Sequence, residues 1–69
     1  MNSPLHPLKK ARVLQGITQF KLSLDTGINS TRISLMENDY IQPREDEIQK
    51  LSQVLKVKRE DIFPSIKGD

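Results

Sequence analysis

Small polar side chains recur on one side of a predicted helix between residues 30 and 38. Each residue advances about 100° around a helix axis, so Ile33 and Met36 lie together on the opposite, apolar side. Hydroxyls donate and accept hydrogen bonds, an asparagine amide can pair with adenine, and an apolar side chain can touch a thymine methyl group. This chemistry suits contacts with base edges. The outward set is Ser30, Thr31, Ser34, Leu35 and Asn38.

The segment 18–37 predicts two short amphipathic helices joined by a tight turn at Gly27. A residue without a Cβ can adopt positive φ and lets two helices approach closely. Helices joined in this way cross steeply, which leaves the second helix accessible to a groove. The positions expected to share a side are Phe20, Leu24 and Ile28, with Leu22 beside them, in the first helix, and Ile33, Met36 and Glu37 in the second.

The length predicts one small domain, and the lack of a clear period-two strand pattern predicts an all-α fold, a compact bundle of about five short helices over residues 1–64, followed by a C-terminal tail at 65–69. The chain has 69 residues, no cysteine and one histidine, His6. Disulfides and thiolate metal sites are therefore excluded, and a histidine-rich metal cluster is too. No nucleophile, base and acid constellation is recognisable, so we expect no enzyme, no metal and no cofactor.

Other helix boundaries follow from prolines, caps and charge. The first helix is expected to begin after Ser3-Pro4 or His6-Pro7 and to end near Gln15, before Gly16. Acidic residues 45–47 favour the start of a fourth helix, whose core side is Ile48, Leu51 and Leu55. A short final turn is expected over residues 58–63, with Val57, Ile62 and Phe63 completing the core.

The net charge of +2 gives only weak support for a polyanionic partner. The positive balance falls in residues 1–44, which hold six lysines and arginines against three acidic residues, although scattered lysines and arginines are also an ordinary solvated surface. There is no apolar run that could cross a bilayer and no signal-peptide pattern, so we expect a cytoplasmic protein without membrane contact.

The ordered combination R-x-x-x-G-I-T-Q, then G-I-N-S-T-x-I-S-x-M-E, then proline resembles the lambda-repressor-like, Cro/C1-type helix-turn-helix family over roughly residues 8–63. The resemblance implies that Gln19 binds a phosphate, that Ser30, Thr31 and Leu35 face bases, and that residues 38–44 meet the backbone of the other strand. Two positions depart from the family pattern. Leu35 suggests a methyl contact or a partner surface, and Asp39 places a negative charge near the expected phosphates.

Together these arguments give a set of candidate DNA-binding residues. The helix predicted between residues 30 and 38 would be the recognition helix. Arg32 is expected on its flank, where it could contact a phosphate or a peripheral base. Ser30 is equally well explained as a helix cap, and Lys21 and Arg44 are equally well explained as ordinary surface cations. Tyr40 is expected to pack under the loop. The set is Thr18, Gln19, Lys21, Asn29, Ser30, Thr31, Arg32, Ser34, Leu35, Asn38 and Arg44.

Arg12 and Glu37 have a structural interpretation instead. Arg12 shares a side with Leu8 and Ala11, and Glu37 projects from the inner side of the recognition helix, so each charge needs a partner near the core. We expect an ion pair between them. In the family that the sequence resembles, a matching pair joins the first helix to the end of the third.

The leading hypothesis is a sequence-specific regulator of transcription that occupies an operator on double-stranded DNA. One recognition helix reads few base pairs, so we expect two copies, associated weakly, on half-sites about 34 Å apart. An antitoxin, or a controller that acts with a protein partner, is a narrower variant of this hypothesis. The alternative class is a protein-interaction module that uses Leu35 and Ile41, and weak dependence of binding on salt would favour it.

Overall fold

The computed structural model of the chain describes residues 5–64 and consists of helices joined by short loops. No strand occurs within that range, which confirms the predicted all-α class. Residues 65–69, predicted as a tail, and the alternative helix start at Ser3-Pro4 lie outside the described residues. The five helices are α1 (Pro7–Leu14), α2 (Gln19–Thr26), α3 (Ser30–Glu37), α4 (Glu45–Leu55) and α5 (Arg59–Ile62).

Helix α1 begins at the second of the two predicted prolines. Pro7 occupies the first turn, where the proline's missing N–H would have had no acceptor within the helix. His6 provides the cap, because its Nδ1 accepts a hydrogen bond of 3.0 Å from the backbone N–H of Leu8. The helix ends before Gly16, which has a φ of +69°.

The turn between α2 and α3 depends on Gly27. Its φ of +77° lies in the left-handed region, and its N–H donates to the Ser23 carbonyl at 2.8 Å. Asn29 then caps α3, because its Oδ1 accepts from the Thr31 N–H at 2.7 Å. Ser30 is therefore the first residue of the helix and is not its cap.

The side of α2 that faces the core is not the side that the spacing of Phe20 and Leu24 predicted. Leu22 and Thr26 face the core, while Phe20 and Leu24 are 67% and 64% exposed. The Thr26 hydroxyl is satisfied there, because it donates to the Leu22 carbonyl at 2.7 Å. Ile28 is buried as expected, but it follows the end of the helix and does not continue its periodicity.

The core is a single cluster of apolar side chains contributed by α1 to α5 and the adjoining loops. It includes the predicted inward residues of the fourth helix and of the final turn, except that Val57 is only partly buried against it. A left-handed Lys56, with a φ of +58°, ends α4 and directs the chain into α5. The buried members are Leu8, Leu22, Ile28, Ile33, Met36, Ile48, Leu51, Leu55, Ile62 and Phe63.

A buried ion pair joins α1 to the end of α3. Arg12 Nε donates to Glu37 Oε2 at 2.7 Å, and Arg12 Nη2 donates to Oε1 of the same carboxylate at 3.1 Å. The Arg12 Nη1 group also donates to the Ile17 carbonyl at 2.8 Å, which fixes the link between α1 and α2. The Glu37 side chain is only 1% exposed, so its charge depends on these partners.

Replacing Arg12 with alanine should destabilise the fold by roughly 3 to 5 kcal/mol, because it leaves the buried Glu37 carboxylate without its cationic partner. Lys10→Ala, on an exposed position of the same helix, serves as the control. The free energy of unfolding is measured by urea denaturation for each variant. Equal small losses in the two variants would contradict a structural role for the pair.

Candidate nucleic-acid interface

Helix α3 has a buried side and an accessible side. Ile33, Met36 and Glu37 are buried on the inner side, with Ile33 completely enclosed. On the opposite side, none of the outward residues is fully buried. Thr31 and Asn38 there are exposed, and Ser30, Ser34 and Leu35 are half-buried.

Asn38, at the C-terminal end of α3, is partly committed to the helix itself. Its Nδ2 donates to the Ser34 carbonyl at 2.8 Å. An asparagine amide has two N–H groups and a carbonyl oxygen, so one N–H and the oxygen remain for an external partner. Thr31 has no such restraint on its hydroxyl and is the more versatile of the two exposed residues.

The N-terminus of α2 brings Thr18 and Gln19 beside the end of α3. Thr18 caps the helix, since its Oγ1 accepts from the Lys21 N–H at 3.0 Å. The amides that precede Lys21 in the first turn have no acceptor within the helix, which makes this end suited to an anion. Gln19 is half-buried, and its Nε2 donates to Glu37 Oε1 at 3.0 Å, a contact that the sequence did not predict.

Arg32 occupies the flank of α3, but it is held in an ion pair that the sequence analysis missed. Its Nε and Nη2 donate to the two carboxylate oxygens of Glu47 at 2.7 and 2.8 Å. The hydrogen bonds from Arg32 lower the pKa of Glu47, and the same contact raises the pKa of Arg32. A phosphate contact by Arg32 stays a prediction, and it would have to share or replace Glu47.

Nothing in the sequence indicated that Arg32 and Glu47 would form an ion pair. Glu47 lies in the first turn of α4 and was interpreted only as favourable for the helix dipole. It also accepts a hydrogen bond of 2.8 Å from the backbone N–H of Arg44, the residue before the helix. That contact holds the Glu47 carboxylate where Arg32 can reach it, while the approach of Arg32 to Glu47 depends on the tertiary fold.

The remaining candidate cations differ in their surroundings. Lys21 is 3.2 Å from Asp25 one helical turn away, but its side chain is 62% exposed. A surface pair of this kind is weak and can exchange for a phosphate at little cost. Arg44 is exposed in the loop before α4. Both can therefore reach a polyanion, whereas Arg12 is enclosed and cannot.

The loop after α3 differs in one respect from the sequence interpretation. Tyr40 is 76% exposed, so the interpretation that it packs under the loop is wrong, and Ile41 packs against the core in its place. Asp39 has a left-handed φ of +61°, and its Oδ1 lies 3.3 Å from His6 Nε2.

Within residues 5–64, no three or more histidine, aspartate or glutamate side chains come together as a metal site. In the same range, none of the helices is both long and apolar enough to span a bilayer. The accessible groups of the site are hydroxyls, side-chain amides, the free backbone amides at the start of α2, and the cations Lys21 and Arg44. This inventory matches hydrogen bonding to bases and phosphates.

A family model for the helix-turn-helix matches residues 8–62, most of the chain. The chain therefore belongs to the Cro/C1-type helix-turn-helix family, a family of DNA-binding regulatory domains. Neither the curated proteins nor the solved structures gave a significant match.

The pair of Arg32 and Glu47 predicts how stability depends on pH. The pKa of Glu47 is lowered in the folded state, so its contribution is fully present above the ordinary value of 4.5 and is lost as pH falls below it. Glu47→Gln cannot titrate there. We expect the difference in unfolding free energy between wild type and this variant to shrink on acidification.

Chemical denaturation between neutral and acidic pH measures this difference. Glu60→Gln makes the same change in net charge at an exposed site and is the control. A difference between wild type and Glu47→Gln that stays constant as pH falls would show that Arg32 does not stabilise the Glu47 carboxylate.

Proposed function

We propose that this protein is a sequence-specific regulator of transcription that occupies an operator by inserting α3 into the major groove of DNA. The observation that carries the proposal is the accessible side of α3, which presents Ser30, Thr31, Ser34, Leu35 and Asn38. Ile33 and Met36 bury the inner side of the same helix in the core, so the accessible residues are held on a fixed helix.

The dimensions of α3 support this docking. An α-helix with its side chains is about 10–12 Å in diameter and the major groove is about 12 Å wide, so α3 can enter it. Small side chains at positions 30, 31 and 34 let the helix backbone approach the base edges closely. Leu35 is then placed for a thymine methyl group, and Thr31 for a hydrogen bond to a base.

Phosphate contacts would come from either side of α3. The N-terminus of α2 offers its free amides together with the Gln19 side chain, and Lys21 lies two residues further along the helix. Arg44 immediately precedes α4, at the end of the loop that follows α3. These groups would bind strands on both sides of one groove, which orients the helix without reading sequence.

Two copies on a pseudo-palindrome would supply the specificity that one short helix lacks. Half-sites one helical turn apart place equivalent residues about 34 Å from each other. The fold measures 34 × 29 × 21 Å, so two copies can lie side by side at that spacing on one face of a duplex.

Selection of duplexes from a random DNA library, followed by binding measurements at several salt concentrations, tests the proposal. Gln19→Ala should weaken binding to all sequences, whereas Thr31→Ala should change base preference at one position of each half-site, by about 0.5 to 1.5 kcal/mol. Affinity should fall steeply with salt, with a log-log slope near −0.9 per phosphate contacted.

Lys58→Ala, an exposed cation before α5 and away from α3, is the matched control and should leave base preference unchanged. Uniform loss of affinity in both Gln19→Ala and Thr31→Ala would remove Thr31 from the base-reading set. Recovery of no preferred sequence, together with binding that does not depend on salt, would contradict the proposal and favour the protein-interaction module.

A further inference from the structure

Gln19 and Glu37 are joined by a hydrogen bond that links the proposed phosphate-binding residue to the buried ion pair. The distance from Gln19 Nε2 to Glu37 Oε1 is 3.0 Å. Gln19 is the first residue of α2 and Glu37 is the last residue of α3, so the contact spans the two helices of the helix-turn-helix.

The chemistry of the two groups fixes which end of the Gln19 amide faces inward. An ionised carboxylate only accepts hydrogen bonds, so the amide nitrogen faces Glu37 and the amide carbonyl does not. One N–H of the nitrogen is donated to Glu37, and the second N–H remains. A phosphate oxygen also only accepts, so this second N–H is the one group of the Gln19 side chain that can bind it.

The Glu37 carboxylate is itself unable to move away. Arg12 donates to both of its oxygens, and Arg12 also donates to the carbonyl of Ile17, two residues before Gln19. The Arg12–Glu37 pair therefore holds both the backbone at Ile17 and the side chain of Gln19. Within residues 5–64, no fully enclosed side-chain nitrogen or oxygen lacks a hydrogen-bond partner, so the buried atoms of this network are satisfied without DNA.

We infer that Glu37 is a positioning residue for DNA binding, which holds the Gln19 amide so that a single N–H is presented to a backbone phosphate. The inference rests on the proposed function for the phosphate, while the contact between Gln19 and Glu37 can be tested in the free protein. It assigns Glu37 a role in affinity in addition to its structural role opposite Arg12.

Nuclear magnetic resonance on the wild-type protein tests the contact first. The Gln19 amide proton that faces Glu37 should exchange with water more slowly than the side-chain amide protons of Gln42, Gln49 and Gln53, which are all exposed. On binding a duplex recovered by selection, this proton should stay protected and the second should become protected. Loss of protection at the Glu37-facing proton in the complex would overturn the inference.

A double-mutant cycle on duplex binding then tests the role. Glu37→Gln should weaken binding about fivefold when Gln19 is present and less than twofold in the Gln19→Ala background, since contacting groups couple by this amount. All variants are compared at a temperature at which circular dichroism shows them folded. If Glu37→Gln does not fold, the exchange measurement on wild-type protein still decides.

Equal losses of affinity in the two backgrounds would mean that Glu37 acts through the fold alone, which overturns the inference. Absence of any DNA binding by the wild-type protein would overturn the proposed function and the positioning role with it. Slow exchange of the inward Gln19 proton in the free protein would then still establish the hydrogen bond, so the two failures are distinguishable.

Discussion

The Glu37 carboxylate is a buried negative charge at the point where α1, α2 and α3 meet. Arg12 from α1 neutralises it, and Gln19 from α2 completes its hydrogen bonds. A buried charge is tolerated only with such partners, so the three helices must adopt one relative position for the carboxylate to be satisfied. The polar contacts of Glu37, the last residue of α3, therefore determine the orientation of α3 together with apolar packing.

A second ion pair joins α3 to α4. Arg32 binds Glu47 in the first turn of α4, and the Arg44 backbone completes the hydrogen bonding of that carboxylate. Between the two ion pairs, Ile33 and Met36 anchor the helix in the core. On the remaining side of α3 the outward residues are exposed or half-buried, and none is fully buried.

Much of the fold could be predicted because its determinants are local. Helix caps, the turn at Gly27 and the inward residues of α3 follow from residue type and spacing, and the family model agrees with the resemblance of the motifs. Periodicity failed in α2, because a helix of 8 residues with apolar positions on both sides does not show which side is buried. Phe20 and Leu24 were placed with the core for that reason.

Side-chain partners were harder to predict than helices. Arg12 and Glu37 could be paired because both lie at inward positions, where an isolated charge is costly. Arg32 and Glu47 gave no such signal, since their contact depends on where the tertiary fold places the two residues. Gln19 was assigned to phosphate by resemblance alone, and its contact with Glu37 emerged only from the packing of α2 against the end of α3.

The central claim is that the side of α3 opposite Ile33 and Met36 faces DNA. Mapping backbone amide shifts while a selected duplex is added to the folded protein tests it most directly. The account predicts that the largest changes fall in residues 18–21, 29–38 and 44, with the outer side of α1 unaffected. Changes concentrated at Lys10, Val13 and Leu14 on α1, with α3 unperturbed, would contradict it.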